Sequence, residues 1–362
     1  MAFGLVLEFE FEPCRKASAS ETGCPSANHR SEEGCDMRQE TRRTMLLGSV
    51  FLIGLAPWVW AAQPRAIRSP RRAISPRARF QPTRVEVFKS VGDTELKIHI
   101  FLPPDHKPSD RRAAVVFFFG GGWMGGNPRQ FFPQCDYLAK RGMAAMAAEY
   151  RVYSRHKARI IDCVEDAKSA LRWVRTHADR LGIDPERIAA GGGSAGGHLA
   201  AAVGTLDEFD HPKEDLSVSS RPNALVLFNP ALDLTAKGFH LDPQSVRYQR
   251  IAKRMGTEPT RISPLLHVKK GTPPCIIFHG KADRTVPYEQ AERFVEKMRE
   301  AGNRCELIGY EGEPHGFFNF GRGGNKAFLS TMEHVDRFLA SLGYLQGPPT
   351  LDTVFPQTNP QP

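Results

Sequence analysis

From residue 83 onward, short apolar runs alternate with longer amphipathic stretches, and this alternation most strongly constrains the fold. The runs at 85–88 and 95–101 have the period of two that is typical of half-buried strands. The run at 113–119 is apolar throughout, as expected for a strand covered on both faces. The complete pattern predicts strands at 85–88, 95–101, 113–119, 143–150, 187–190, 224–228, 275–279 and 305–310, and helices at 128–141, at 161–181, from the start of the glycine cluster 191–197, at 288–301 and at 326–342.

This order of elements predicts an α/β fold, with a mostly parallel central sheet and helices on both of its faces. A less regular stretch at 231–263 interrupts the alternation between two strands. Because this stretch is short, we expect a small cap insertion and a site that is open to solvent.

In such sheets ligands bind beyond the carboxyl ends of the strands, so the residues that follow each strand are the first candidates for chemistry. After the strand at 187–190 comes Gly192-Gly193-Ser194-Ala195-Gly196, a G-x-S-x-G pattern that leads into an Ala-rich stretch. This pattern is typical of a serine held on a tight strand-to-helix turn, where small neighbours let the helix approach the strand. The amino end of that helix would favour a developing negative charge.

The same glycines also allow a different interpretation. Both 191–196 and 120–125 match G-x-G-x-x-G, the pattern of a dinucleotide-binding turn, and Glu149 stands where a ribose ligand would be expected. Trp123 counts against the match at 120–125, because a bulky side chain is awkward where a pyrophosphate must approach the backbone. A nicotinamide-dependent oxidoreductase is therefore one alternative function.

Two further polar residues follow predicted strands. Asp283 comes after the strand at 275–279 and His315 after the strand at 305–310. A serine hydroxyl needs an imidazole base to act as a nucleophile at neutral pH, and the imidazole needs a carboxylate to fix its tautomer. The order Ser194, Asp283, His315 is the order of nucleophile, acid and histidine in α/β-hydrolases.

Four motifs in this order resemble those of α/β-hydrolase esterases of the hormone-sensitive-lipase and feruloyl or acetyl-xylan esterase type. They are Phe119-Gly120-Gly121-Gly122-Trp123, GGGSAGGH around Ser194, HGKADRTVP and EPHGFF, and the resemblance extends over about residues 84–343. It implies that Ser194 is the nucleophile, that Asp283 and His315 are its partners, and that no cofactor or metal takes part. It also implies an oxyanion hole formed by the backbone N–H groups of Gly121, Gly122 and Ala195.

One position departs from the family pattern. The family usually has a histidine before the three glycines, and this chain has Phe119. The backbone donors survive the change, but the loop loses a side-chain hydrogen bond. Three aromatic residues near the motifs, Trp123, Phe317 and Phe318, are candidates for the wall of the acyl or alcohol pocket, with core packing as an equal alternative.

Other polar residues are expected to have structural roles. His198 and His279 lie within a helix and at a strand end, so we expect them to be packed and hydrogen-bonded. Asp233, the alternative carboxylate, is expected to serve a turn. Cys275 and Cys305 lie in successive strands and are predicted to be free thiols, and the cysteines show no spacing that suggests a zinc site.

The amino-terminal part predicts export. Residues 37–61 combine a basic start that contains Arg42 and Arg43, an apolar stretch and small residues, which resembles a twin-arginine signal cleaved near Ala61. Retention as a membrane anchor is the alternative; after cleavage no stable membrane anchoring is expected. Residues 1–36 are interpreted as an extension before the true start, 62–83 as an Arg/Pro-rich linker, 84–345 as the hydrolase domain and 346–362 as a disordered Pro-rich tail.

The net charge of +9 arises from 49 basic and 40 acidic residues and first suggests a nucleic-acid partner. Seven arginines and no acidic residue lie between 62 and 84, so the predicted hydrolase domain is only mildly basic. We therefore expect no nucleic-acid partner.

The function favoured by the sequence is hydrolysis of carboxylic esters, with a small-molecule or polysaccharide ester as substrate, in a periplasmic or secreted bacterial protein. Export and an open site suggest short-acyl or carbohydrate esters, such as acetyl- or feruloyl-polysaccharide.

A prolyl-oligopeptidase-type peptidase shares the triad order but normally carries a propeller, for which residues before 84 offer no pattern. A binding protein on an inactive hydrolase fold is disfavoured because no triad residue is missing.

Overall fold

Eight strands form a single sheet in the computed structural model, which describes residues 80–356. The proposed extension, the export signal and residues 62–79 of the linker lie outside the described residues, as do residues 357–362 of the tail. Within residues 80–356 no helix is both long and apolar enough to cross a bilayer.

The strand order is β1-β2-β4-β3-β5-β6-β7-β8. β1 pairs with β2, and β2 with β4, in antiparallel orientation, whereas all later pairs are parallel. This confirms the predicted α/β-hydrolase architecture with a mostly parallel sheet. The strands are β1 (Arg84–Val91), β2 (Thr94–Phe101), β3 (Arg112–Phe118), β4 (Ala144–Ala148), β5 (Ile183–Gly193), β6 (Ala224–Phe228), β7 (Cys275–Gly280) and β8 (Cys305–Tyr310).

Helices cover both faces of the sheet because the central strands are apolar on both sides. α3, α5 and α7 contribute to one buried cluster, and α1, α8 and α9 to the other. The helices are α1 (Phe132–Lys140), α2 (Tyr153–His156), α3 (Ile160–Thr176), α4 (Ala178–Leu181), α5 (Ala195–Thr205), α6 (Val246–Ala252), α7 (Glu289–Glu300), α8 (Lys326–Ser341) and α9 (Leu351–Val354), with 3-10 turns at Pro128–Phe131, Pro259–Ile262, Pro264–His267 and Gly323–Asn325.

The first glycines of the cluster continue β5 to Gly193, and α5 begins only at Ala195, so the strand is longer and the helix starts later than predicted. A Cβ added to Gly191 would lie 2.5 Å from the ring of Phe117, and one added to Gly193 would lie 2.5 Å from the ring of Phe318. The space beside these glycines is thus filled by aromatic side chains of the core. Their role in packing explains the G-x-G-x-x-G match at 191–196 without a dinucleotide.

The predicted disorder of the tail is wrong for the described residues 346–356. The helical turn α9 is followed by Phe355, which is 6% exposed. The ring of Phe355 packs at centroid distances of 5.2 Å from Phe328 and 6.2 Å from Phe80. Because apolar residues in the tail meet an apolar surface of α1 and α8, burial stabilises a segment whose proline content had suggested disorder.

This packing predicts that Phe355→Ala lowers the free energy of unfolding by about 3 kcal/mol, since a large buried aromatic side chain is lost. Urea unfolding of the purified domain measures the change. Asp352→Ala, at an exposed position of the same turn, is the matched control and should change stability by less than about 0.5 kcal/mol. Equal stability of the wild type and Phe355→Ala would contradict the observed packing of the tail.

Candidate active site

Ser194 lies at the turn between β5 and α5 with a backbone φ of 55° and ψ of −117°. This conformation is strained for a residue with a side chain and is typical of a nucleophile elbow. The turn is tight because its glycines allow the chains to touch: a Cβ on Gly192 would lie 2.7 Å from the carbonyl oxygen of Phe118, and one on Gly196 would overlap that same oxygen. Close crossing of strand and helix therefore raises the Ser194 side chain above the sheet edge.

The structure brings Ser194, His315 and Asp283 together in a chain of hydrogen bonds. The Nε2 of His315 lies 2.9 Å from the Oγ of Ser194, and the Nδ1 of His315 lies 2.6 Å from the Oδ2 of Asp283. A carboxylate accepts from Nδ1–H, so Nε2 carries the lone pair and faces the serine hydroxyl. This arrangement can remove the proton from Ser194 as its oxygen attacks.

Asp283 is held by four donors although its side chain is fully buried. Its Oδ1 accepts hydrogen bonds from the backbone N–H groups of Thr285 and Val286, at 2.7 and 3.0 Å. Burial raises the pKa of the carboxyl, but hydrogen bonds from His279, His315 and Val286 outweigh it and hold the pKa well below its usual range. Asp283 is therefore ionised at neutral pH and can fix the tautomer of His315.

His279 contacts Asp283, and the sequence did not predict this contact. It is fully buried, as predicted, and its Nε2 lies 3.3 Å from the Oδ2 of Asp283 and 3.1 Å from the carbonyl oxygen of Val286. Its position four residues before Asp283, at the end of β7, is the only sequence signal that could have suggested the contact.

The predicted oxyanion donors lie around Ser194. Gly121 and Gly122 line the same cleft as Ser194 and His315, and Ala195 is the first residue of α5. In the described part of the chain, the N–H groups of these three residues donate no hydrogen bond to the protein. Free N–H groups beside the reacting atom, one of them at a helix amino end, suit a developing oxyanion.

The loop before Gly121 is anchored without the histidine that the family usually has. The ring of Phe119 stacks on the ring of Tyr150 at 4.2 Å, and the Tyr150 hydroxyl donates to the carbonyl oxygen of Phe119 at 2.7 Å. The N–H of Gly120 donates to the Oε1 of Gln130 at 2.7 Å. The side-chain hydrogen bond that the sequence predicts to be lost is thus replaced by two others, from residues outside the motif.

Gln130 also ties this loop to the loop that carries His315. Its Nε2 donates to the Oδ1 of Asn319 at 2.9 Å, and the Nδ2 of Asn319 donates to the carbonyl oxygen of Gly316 at 2.7 Å. The N–H of Gly316 in turn donates to the Oδ1 of Asn229 at 3.0 Å, at the end of β6. These contacts form a polar clamp, defined here as Gln130, Asn319 and Asn229, which links the glycine loop to the histidine loop.

The cleft above Ser194 has a volume of about 670 Å³. Among the three aromatic candidates, Phe318 lines it, where its ring lies 4.6 Å from that of Phe228. The cleft is lined by Gly120, Gly121, Gly122, Gln130, Ser194, Asn229, Thr285, His315, Gly316, Phe318, Asn319, Phe320, Gly321 and Arg322.

Comparison with known proteins identifies the family to which the chain belongs. The model of the BD-FAE family matches residues 98–298, which include Ser194 and Asp283. The chain belongs to the BD-FAE family. This is a family of α/β-hydrolases, in agreement with the sheet order and the predicted resemblance.

Several relatives of this BD-FAE member are named as esterases or carboxylic ester hydrolases. It is 32% identical to the probable carboxylic ester hydrolase LipM of Mycobacterium tuberculosis, over 61% of this chain and 52% of that protein. It is 29% identical to an acetylxylan esterase of Xylanibacter ruminicola, over 69% of this chain and 48% of that protein. The chain spans about half the length of these curated relatives. The apo form of Thermogutta terrifontis esterase 2 is 53% identical and superimposes with a TM-score of 0.69, covering 73% of this chain and 96% of that one.

Two of the three aromatic candidates in the BD-FAE member, Trp123 and Phe317, lie outside the cleft. Core packing, and not the pocket-wall role, is therefore the correct interpretation for both. Trp123 has a positive φ of 58°, is 5% exposed and stands edge-on to the ring of His198 at 5.2 Å. Phe317 is 2% exposed and packs 4.8 Å from the ring of Tyr310. Neither is a pocket wall, because both rings pack into the core.

The alternative histidine and carboxylate have structural roles, as predicted. His198 is fully buried with its Nε2 2.8 Å from the carbonyl oxygen of Ile262, and burial lowers its pKa to about 4, which keeps it neutral. Asp233 accepts from Thr235 within a turn and pairs with Arg293 at 3.0 Å.

Glu149, the candidate ribose ligand, contacts two residues of β2. Its Oε2 accepts from the N–H of Lys97 at 3.0 Å, and its other carboxylate oxygen lies 3.6 Å from the Nε2 of His99.

Cys275 and Cys305 lie opposite each other in the paired strands β7 and β8. Both are free thiols, as predicted.

The polar clamp predicts that Gln130→Met lowers kcat for ester hydrolysis by about 10- to 100-fold with little change in KM. The substitution keeps the volume but removes the acceptor of Gly120, and misplaced oxyanion donors weaken transition-state binding more than substrate binding. Steady-state kinetics measures both parameters. The control Gln244→Met, at an exposed position away from the cleft, should retain the wild-type kcat. An unchanged kcat in Gln130→Met would show that the polar clamp does not position the glycine loop for catalysis.

Proposed function

We propose that this protein hydrolyses carboxylic esters through a covalent acyl-enzyme on Ser194. The observation that carries the proposal is the continuous hydrogen-bond chain from Asp283 through His315 to Ser194, next to N–H groups that have no acceptor in the described protein. Removing a proton from a hydroxyl and stabilising an oxyanion are the two requirements of acyl transfer.

In the first half-reaction, the Oγ of Ser194 attacks the ester carbonyl while the Nε2 of His315 takes the hydroxyl proton. The negative charge on the carbonyl oxygen is received by the N–H groups of Gly121, Gly122 and Ala195. As the tetrahedral intermediate collapses, the C–O bond to the alcohol breaks and His315 returns the proton to the leaving oxygen. Asp283 stays ionised and stabilises the imidazolium during both transfers.

In the second half-reaction, water replaces the alcohol. His315 takes a proton from water as its oxygen attacks the acyl-enzyme, and the proton then passes to Ser194 as the acid departs. No further reactant is needed, so atoms and charge balance over the cycle.

Short-acyl or carbohydrate esters, such as acetyl- or feruloyl-polysaccharide, are the proposed substrates. One supporting observation is the cleft itself, which opens to the surface and has room for a small acyl group. A second is the solved Thermogutta terrifontis esterase 2, 54% identical, which has been obtained phosphonylated by sarin and bound to propionate. A third is the acetylxylan esterase among the relatives.

Ser194→Ala should lower kcat/KM for 4-nitrophenyl acetate by at least about 10⁴-fold, because the nucleophile is removed. A fluorophosphonate probe should label the wild type and the control Ser217→Ala, whose substitution lies at an exposed loop, but not Ser194→Ala. Labelling or turnover retained in folded Ser194→Ala would refute the assignment of the nucleophile.

Export by the twin-arginine route remains part of the proposal and rests on the sequence of residues 37–61. Cell fractionation and amino-terminal sequencing test it: the mature chain should begin near residue 62 outside the cytoplasm, and replacing Arg42 and Arg43 by lysine should block its appearance there. A mature exported chain that retains residues 37–61 would contradict cleavage.

A further inference from the structure

A second cavity adjoins the active-site cleft. It has a volume of about 250 Å³ and shares Gln130, Asn319 and Phe320 with the cleft, so the two spaces are neighbours on either side of these residues. We call this second cavity the side chamber. It is lined by Phe80, Arg129, Gln130, Phe132, Pro133, Asn319 and Phe320.

The side chamber combines ring faces with a cation. Phe80 and Phe320 contact each other edge-to-face at 5.2 Å. The guanidinium carbon of Arg129 lies 6.0 Å from the centre of the Phe132 ring. Aromatic walls with a few polar groups at the rim are the usual lining of a small-molecule site.

The charged side chains that line the two spaces, among residues 80–356, all have the same sign. They are Arg129 in the side chamber and Arg322 in the cleft, apart from the titratable His315, and no Asp or Glu of the described residues lines either space. Arg129 forms no ion pair with any residue between 80 and 356, and Arg322 donates to the carbonyl oxygen of His315 at 2.9 Å. The carboxylate of Asp283 is fully buried.

Another polar cavity of the described chain has a lining of mixed charge. That cavity, of about 440 Å³, also has basic residues in its lining, but acidic residues stand among them. Lys168 pairs with Asp210 at 2.5 Å, and Arg172 pairs with Asp210 and, at 2.5 Å, with Glu214. Lys168 and Arg172 are thus ion-paired within the protein, whereas Arg129 in the side chamber forms no ion pair within residues 80–356.

We propose that the side chamber receives the leaving alcohol of the ester, and that Arg129 binds a carboxylate on that alcohol. The leaving oxygen takes its proton from the Nε2 of His315, so the alcohol must lie beside the loop that follows His315. That loop supplies Asn319 and Phe320 to both spaces. The substrate class is therefore an acyl ester of a ring-containing alcohol that carries a carboxylate. This inference rests on the proposed esterase function.

Two matched acetates test the proposal. 4-Acetoxybenzoate and 4-acetoxybenzamide have the same acyl group and nearly the same leaving group, and only the first is anionic. The ratio of their kcat/KM values is compared between variants, so that the intrinsic difference between the leaving groups cancels. Arg129→Gln removes the cation, and Arg299→Gln, at an exposed position of α7, removes the same charge elsewhere.

We expect Arg129→Gln to lower the benzoate-to-benzamide ratio by about two- to fivefold, the effect of a partly exposed ion pair, because only the benzoate carries a negative charge. Arg299→Gln should keep the wild-type ratio. High salt should reduce the wild-type ratio toward that of Arg129→Gln. Equal thermal stability of both variants verifies that they are folded.

An unchanged ratio in Arg129→Gln, with normal turnover of the benzamide, would overturn the anionic subsite and leave the esterase function intact. A second pair of esters tests whether Arg129 binds the acyl group instead. 4-Nitrophenyl hydrogen succinate has a carboxylate on its acyl group, and 4-nitrophenyl butyrate has none. If the wild type prefers the succinate and Arg129→Gln loses that preference, the chamber holds the acyl group and the proposal is overturned. Failure of the proposed function is distinguishable, because the wild type would then hydrolyse neither acetate and take no fluorophosphonate label.

Discussion

The close crossing of the end of β5 and the start of α5 is the contact on which the rest of the site depends. Gly192 and Gly196 let the two elements meet at the carbonyl oxygen of Phe118, where any Cβ would collide with backbone. This contact holds Ser194 at a φ of 55°, a conformation that the surrounding sheet must stabilise. It also places Ala195, whose N–H donates no hydrogen bond within residues 80–356, directly after the serine at the first position of α5.

The reactive geometry is then completed by parts of the chain that are far apart in sequence. β7 and β8 end beside β5 and β6, so Asp283 and His315 meet Ser194 at one sheet edge. The polar clamp joins the glycine loop to the histidine loop, and Tyr150 holds Phe119 from the neighbouring strand. The glycine loop and His315 are thereby positioned relative to each other as well as to Ser194, which is the preorganisation that the proposed electrostatic catalysis requires.

The fold and the three central residues could be predicted because each depends on local patterns. Apolar runs fix the strands, and Ser194, Asp283 and His315 follow strands directly, so their meeting at one edge follows from the sheet. Gln130 and Asn319 could not be predicted, because their contact joins residues 189 positions apart and depends on side-chain direction. The ring directions of Trp123 and Phe317 depend equally on tertiary packing. The tail was misjudged because its proline content hid the apolar spacing that buries Phe355.

The proposed function depends on acylation of Ser194 during turnover. Rapid acid quenching of the enzyme with 4-nitrophenyl acetate, followed by intact-mass and peptide mass spectrometry, detects this acyl-enzyme. We expect one added acetyl group per chain, located on the peptide that contains Ser194 and formed in step with a burst of nitrophenol. Turnover at the wild-type rate with no acetyl group on Ser194, or with the acetyl group on another residue, would contradict it.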